Sequence, residues 1–374
     1  MNRRPSQSRS GFDSFSPQHT AHFKAAQPGD EFFEPKPRAP LGRRILLILL
    51  ILLLAALAVN LAANQFVQVA RVTVPIRRMD SAFEGYTLLQ ISDLKGATYG
   101  TNQSLIRFAL QNEDFDAVVL TGDMVSSRGN AQPLYALIEM IRELKPDAPI
   151  YMIAGDKDPL PASMSYATGG SPFAPWVLGA KQRGGQLLSA PVRIERDGHV
   201  LWLTTSALLS LDLDTMQEQF ERQYLDALAD GDENAIELTT YNLQWLTETR
   251  NARAQMTDED VYIALTHVPP SDEELEGAYA GSLRGRLHLV LCGHYQGGLI
   301  RLPFVGALFI PSQNLPFYGV LPGRDTYYGL TKKGSTYLYV SPGLGDNDGL
   351  YPLPFFRLFN PPTISLISLT TSSL

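Results

Sequence analysis

Five apolar runs, each of strand length and each stopped by a residue that can bind a metal, constrain this chain more than any other feature of its sequence. They are YTLLQISD ending at Asp93, AVVLTGD at Asp123, IYMIAGD at Asp156, VYIALTH at His267 and LHLVLCGH at His294. Runs this continuous suit strands covered on both faces. Amphipathic stretches lie between them, at residues 103–110, 131–144 and 212–228, so the layout is α/β. In open α/β sheets ligands gather outside the carboxyl ends of the strands, which aims all five terminal residues at one rim. After His294 the text changes: Gly-Pro turns separate the short strand candidates ALFIPS, STYLYVS and TISLISL. These suggest a second sheet packed against the first.

Upstream of this region residues 45–63 read ILLILLILLLAALAVNLAA, in which Asn60 is the one polar residue. At about 1.5 Å per residue such a helix spans roughly a bilayer core. A transmembrane segment is therefore expected, with its flanks, over residues 43–65. A cleaved signal peptide is the rival reading, but the run exceeds the usual h-region of roughly 7 to 15 residues and lacks a good small-residue cleavage site. No face of the run is polar, which argues against a buried core helix. Lys36, Arg38, Arg43 and Arg44 crowd the N-terminal flank and the first base beyond the run is Arg71. The positive-inside rule then leaves the N-terminus cytoplasmic and the globular part outside, although Arg77 and Arg78 pull the other way. Residues 1–42 hold six prolines, many Ser and Gln and no apolar periodicity, and read as a disordered cytoplasmic tail.

Composition excludes several classes. A formal net charge of −7, without clustered bases in the globular part, argues against a nucleic-acid partner. The single cysteine, Cys292, rules out an internal disulfide framework and a cysteine-based zinc site. Ending an apolar run, it reads as a small buried hydrophobe. At 374 residues, 44% of them hydrophobic, the chain can bury a large core.

Taken singly, an Asp after a strand is an ordinary turn former and a lone His there is often a hydrogen-bonded core residue. Five in order are more informative, and from residue 87 onward the chain resembles the calcineurin-like metallophosphoesterases, especially their bacterial membrane-associated branch. That family's ordered blocks are D-x-H, G-D, G-N-H-D, a lone His after a strand, and G-H-x-H. Here they read Asp93-Leu94-Lys95, Gly122-Asp123, Gly155-Asp156-Lys157-Asp158, His267, and Gly293-His294-Tyr295-Gln296. GGLIRLPFVGALFIPSQ, YVSPGLG and RLFNPPTISLISL look like the family's later segments. The resemblance implies a two-sheet metallophosphoesterase-type sandwich flanked by helices over residues 72–374, preceded by the one transmembrane helix. It also implies two divalent metals bridged by the G-D aspartate.

The departures from the family pattern fall unevenly. One metal position, by resemblance, uses Asp93, Lys95, Asp123 and Gln296. A protonated Lys has no lone pair to offer and a Gln oxygen binds such ions weakly, so this position is expected to be lost. The other uses Asp123, Asp156, His267 and His294, an oxygen and nitrogen set that suits Zn, Mn or Fe. The cofactor expectation is at most one divalent ion, or none. Lys157 replaces the G-N-H-D histidine; at a free pKa of roughly 10.4 it can donate to a phosphoryl oxygen but is a poor acid. Lys95 can supply part of the charge of the lost metal, and Asp158 supports the ligands from behind.

Two functions stay open. The first is a membrane-anchored hydrolase of phosphomonoesters or phosphodiesters, on a small molecule or a lipid head group. The second is an inactive relative that binds a phosphate-bearing ligand or a protein partner. Asp93, Asp123 and Asp156 against Lys95 and Lys157 leave a net −1, so the group could also be a self-neutralising salt-bridge cluster. One divalent ion would turn it to +1. Of the remaining histidines, His199 sits at an apparent hairpin turn, His288 reads as a surface residue at a strand start, and His19 and His22 lie in the tail. The stretch MSYATGGSPFAP within residues 159–261 could be a substrate loop or a plain linker.

Overall fold

The strand-length runs become strands because an apolar layer awaits their side chains on each side. In β3 (Ala117–Thr121), Ala117 and Val119 enter one core layer while Val118 and Leu120 enter another. β8 (Val261–Leu265) does the same, with Val261, Ile263 and Leu265 on one face and Tyr262 and Ala264 on the other. This period of two with both faces buried is what a continuous apolar run encodes. Truncating a fully buried member such as Ile263 to Ala would cost about 2–5 kcal/mol.

The computed structural model describes residues 40–163, 166, 171–276, 287–302, 304–310, 319–323, 327–345 and 357–372. Two compact units divide the chain, Met1–Leu53 and Leu54–Leu374. The larger unit contains two six-stranded sheets. The first runs β1 (Gln68–Arg77), β14 (Thr363–Ser372), β2 (Thr87–Ile91), β3, β4 (Ile150–Ile153) and β5 (Gly185–Leu187). β2 through β5 pair in parallel, and β14 pairs antiparallel with β2. The second runs β12 (Gly329–Lys333), β13 (Thr336–Val340), β9 (Leu289–Cys292), β8, β7 (His199–Thr205) and β6 (Val192–Arg196). β7, β8, β9 and β13 are parallel to their neighbours within that group.

Between the sheets lies a layer that includes Val74, Leu88, Val119, Leu201, Ile263, Leu289 and Ile367. The outer face of the first sheet is covered by α2 (Ser104–Leu110), α3 (Gln132–Leu144) and α4 (Pro175–Gln182). On the outer face of the second, Trp202, Tyr262 and Val290 pack with Leu209 of α5 (Ser206–Ser210) and Ala252. The protein is thus a two-sheet α/β sandwich flanked by helices, as expected.

The division of labour between the sheets differs from the sequence reading. The five ligand-bearing runs do not share one sheet: three end in the first and two in the second. Nor do the late candidates build the second large sheet by themselves. STYLYVS supplies β13 beside β9, and TISLISL supplies β14 in the first sheet. The described part of ALFIPS enters β11 (Gly306–Ala307), which pairs with β10 (Arg301–Leu302) as a separate two-stranded sheet, and bridges Phe309 to Val320. The reason is edge availability. Successive parallel units extend the first sheet from β2 to β5, after which the β6–β7 hairpin starts a new sheet for β8 and β9. The open side of β2 is left for the last strand.

The hairpin turn expected at ERDGHV is present, with Asp197 and Gly198 both at positive φ (51° and 81°), the conformation an Asp-Gly pair favours. His288 is half-buried rather than on the surface: its Nδ1 accepts the Tyr262 N–H at 3.1 Å and its ring stacks on Tyr262. Stretch 212–228 becomes α6 (Leu213–Asp230), closed by Gly231 in the left-handed conformation. α7 (Glu233–Gln255), capped by Asp232, follows it and escaped the sequence reading because its apolar residues are spread around the helix. Helix α1 (Leu41–Ala63) is long and apolar enough to cross a membrane. Residues 1–39, and half of the MSYATGGSPFAP stretch (164–165 and 167–170), lie outside the described residues.

Candidate metal centre

Because β2, β3 and β4 are parallel, their carboxyl ends meet at one edge, and the loops leaving them carry Asp93, Asp123 and Asp156. β8 and β9 bring His267 and His294 to the same edge from the opposite sheet. Backbone hydrogen bonds lock the loops together: Asp93 N–H donates to the Gly122 carbonyl (3.0 Å), Lys95 N–H to the Asp123 carbonyl (2.8 Å), and Gly293 N–H to the His267 carbonyl (3.0 Å). The turns are tight. Asp93, Lys95, Asp123, His294 and Gln296 all have positive φ, between 50° and 69°. Each costs roughly 1 kcal/mol or more for a residue with a Cβ, strain that concentrates at functional sites. Gly155 has no such choice, since a Cβ there would lie 2.2 Å from Asp123 Oδ1.

Asp156, His267 and His294 form one cluster of ligand atoms, all within 4.8 Å of one another. His267 is the most informative member. Its Nδ1 lies 2.8 Å from the Thr121 carbonyl, which can only accept, so Nδ1 carries a proton and Nε2 faces inward. Nε2 sits 3.3 Å from Asp123 Oδ2 and 3.0 Å from Asp156 Oδ1, yet is buried and hydrogen-bonded to neither. Two carboxylates and an imidazole nitrogen aimed at one point require a cation between them. Without a metal that cation is a proton. Burial disfavours a charged His267, but the adjacent Asp123 and Asp156 carboxylates and the nearby Asp93 charge overcome this, raising its pKa to about 11. Asp156 is held far below the usual carboxylate range by His267 first, then His294 and Lys157. Burial opposes ionisation of Asp123, and His267, Lys95 and the Lys157 N–H outweigh it. His294 Nδ1 lies 3.0 Å from Asp156 Oδ1. Asp123, Asp156, His267 and His294 thus have the donor chemistry and the orphaned nitrogen of a set suited to one divalent ion.

The other cluster is Asp93, Asp123 and His267. Here Lys95 intervenes: its Nζ is 3.4 Å from Asp123 Oδ2 and 4.0 Å from Asp93 Oδ1, with a side chain only 10% exposed. Gln296 is buried, its Nε2 3.5 Å from Asp93 Oδ1 and its Oε1 without a hydrogen bond. Lys157 is more open: Nζ is 3.0 Å from Asp156 Oδ2, and that pairing raises its pKa. Asp158 does not face the centre. It accepts from the N–H groups of Val125 (2.7 Å) and Gly155 (2.9 Å), so it shapes the loops carrying Asp123 and Asp156, and burial raises its pKa.

Several supporting residues carried no signal in the sequence. Ser92 Oγ donates to Asp93 Oδ2 (2.6 Å). Arg357, buried, donates to the carbonyls of Asn360, Gly345, Gln296 and Pro342, and Asn360 Nδ2 donates to the Gln296 carbonyl (2.7 Å). Gly345 N–H in turn reaches the Asp93 carbonyl (2.6 Å). Backbone carbonyls as partners leave no motif to search for, and of these Arg357 and Asn360 bonds all but the one to the Asn360 carbonyl reach across 12 to 64 residues of sequence.

Residues 86–296 match the profile of the calcineurin-like phosphoesterases. Over 305 residues the chain is 24% identical to the uncharacterized metallophosphoesterase YkuE of Bacillus subtilis (strain 168), an alignment covering 80% of this chain and 85% of YkuE. Among solved structures it is similar to the phosphopantetheinyl hydrolase PptH of Mycobacterium tuberculosis, at 11% identity and a TM-score of 0.36, covering 78% of this chain and 98% of that one.

Proposed function

Because this chain belongs to the calcineurin-like phosphoesterase family, we propose that it is a membrane-anchored hydrolase of phosphomonoesters or phosphodiesters working with one divalent ion. The observation that carries the reading is His267 Nε2, buried between Asp123 and Asp156 with no hydrogen bond of its own. Asp123, Asp156, His267 and His294 would hold the ion, which when bound supplies a Lewis acid for a phosphoryl oxygen and lowers the pKa of a water nucleophile.

The remaining work falls to the chain's own residues. Lys157, half-exposed at the rim, can donate to a phosphoryl oxygen and fix the substrate's orientation. Its raised pKa keeps it charged at neutral pH, so it does not protonate a leaving group. Turnover should therefore favour esters whose leaving group departs without a proton, such as aryl esters. Lys95 occupies the second half of the centre and neutralises Asp93 and Asp123, keeping the rim attractive to an anion. Helix α1 supports anchorage, the excess of bases on its N-terminal flank supports an extracytoplasmic domain, and the acidic net charge favours a phosphate-bearing small molecule or lipid head group over a nucleic acid.

Lys95 also motivates the second reading, an inactive binder, because an ammonium on both carboxylates of one half removes the two-ion clamp. Assaying the full chain in detergent on aryl phosphodiesters with Mn or Zn separates the two. Metal-dependent hydrolysis above a His267→Ala control is expected. One bound ion without turnover would leave the binder, and no bound ion would leave the salt-bridge cluster.

A further inference from the structure

An apolar surface lies beside the candidate centre with no role in it. Three segments compose it, stitched by backbone hydrogen bonds: Leu308 N–H to the Ile300 carbonyl, Leu321 N–H to the Leu308 carbonyl, and Arg301 N–H to the Leu358 carbonyl. Phe304 and Val305 form the tip of the β10–β11 hairpin, and Phe304 is fully exposed at positive φ (68°). Phe309, Val320, Leu321 and Phe359 are also exposed. A groove of about 280 Å³ runs from Phe304 and Val305 to Phe359, and in it Arg301 lies 4.3 Å from the Tyr328 ring centroid. Residues 299–310, 319–323 and 357–362 contain no Asp or Glu; their charges are Arg301 and Arg357. Exposed aromatics with tyrosines and a base, without acids among the described residues of these segments, match the chemistry of a bilayer's polar boundary.

The position of the patch names its occupant. Asn60, one turn before the end of α1, accepts the Phe359 N–H (2.6 Å) and donates to the Arg357 carbonyl (2.8 Å); Asn64 donates to the same carbonyl (2.6 Å). The polar interruption in the apolar run is thus buried against the segment that carries Phe359. Where that helix leaves a membrane, Phe359 and its neighbours must be at the membrane's edge.

We propose that the Phe304–Val305 tip, with Phe309, Leu321 and Phe359, inserts into the boundary of the same lipid bilayer that α1 crosses, as a second, shallow anchor. This rests on the membrane-anchored reading of α1. The insertion would hold the metal-centre rim close to the lipid head groups, because Arg357 and Asn360 tie the same segment to the carbonyl of Gln296.

The test places one spin label at a time on the full chain in vesicles of phosphatidylethanolamine and phosphatidylglycerol. Cys292 is fully buried and does not compete for the reagent. Phe304→Cys reports the tip, Leu54→Cys reports the helix, and Ser335→Cys reports the β12–β13 turn at the opposite end of the second sheet. Collisions with oxygen, relative to those with a water-soluble nickel chelate, should be about tenfold more frequent at 304 than at 335. If 304 matches 335 while 54 favours oxygen, the second anchor is overturned and the helix reading stands. If 304 is shielded from both reagents, the patch contacts protein, such as another copy of the chain, and the proposal is likewise overturned. If 54 also favours the chelate, the anchored reading fails and the insertion with it.

Discussion

The two halves of the candidate centre share Asp123 and a common edge of the sandwich, and they balance charge by different means. In one half His267, His294 and Asp156 surround a point toward which His267 Nε2 turns an unbonded lone pair or proton. In the other, Lys95 places its Nζ 3.4 Å from Asp123 Oδ2 and 4.0 Å from Asp93 Oδ1. Both arrangements neutralise Asp123, a buried carboxylate that must be paired to be tolerated. Only the first is exchangeable, since imidazole can give up its proton to a metal whereas lysine carries its charge on a covalent tether. The strained loops are alike in both halves, at Asp93 and Lys95 as at Asp123 and His294.

The strongest way to break this contrast is to remove the exchangeable half. His267→Ala should weaken divalent-ion binding by more than about 100-fold, since even residues behind a metal's ligands are worth about 10–100-fold. Elemental analysis of the purified chain would read the loss, and an unchanged ion content would place the metal elsewhere. The converse experiment erases the difference. Lys95→His with Gln296→His should raise the ion content from one per chain to two, because Asp93 and Asp123 are already in place; a value that stays at one would mean Lys95 is not what excludes the second ion.

A pH series sharpens the same point. At neutral pH the metal-free centre holds His267 protonated, so binding must displace one proton and affinity should rise about tenfold per pH unit. Titration calorimetry in buffers of different ionisation enthalpy would count that proton. The sign for stability is opposite. His267 has a folded pKa of about 11, above its unfolded value of about 6.5, so its ion pairs stabilise the metal-free protein fully below that lower value. They are lost as pH rises toward 11, and bound metal should abolish the slope in denaturation curves. The smallest effect is expected at the rim: Lys157→Ala should lower turnover of an aryl ester by about tenfold, the worth of one charge-assisted hydrogen bond, with the ion content unchanged.

Much of this was legible in the amino-acid sequence for local reasons. A run such as AVVLTGD alternates between two apolar layers and then turns at a Gly-Asp pair, so strand, stop and ligand are written within seven residues. The Asp-Gly hairpin before β7 and the apolar helix α1 were readable in the same way, from spacing and composition alone. The distribution of strands over two sheets was not. β14 and β2 are far apart in the chain yet adjacent in space, and edge availability settles which strand they meet.

The sequence alone determined which residue types stand at each block, with Lys95 and Gln296 where the family pattern has histidine and Asp123, Asp156, His267 and His294 at the others. Tertiary structure decided what those substitutions do. The tautomer of His267 depends on the Thr121 carbonyl, and the seating of Gln296 depends on Arg357 and Asn360. The burial of Asn60 depends on the Phe359 N–H. Each is a hydrogen bond between groups more than 60 residues apart, a distance over which periodicity and local propensity carry no information.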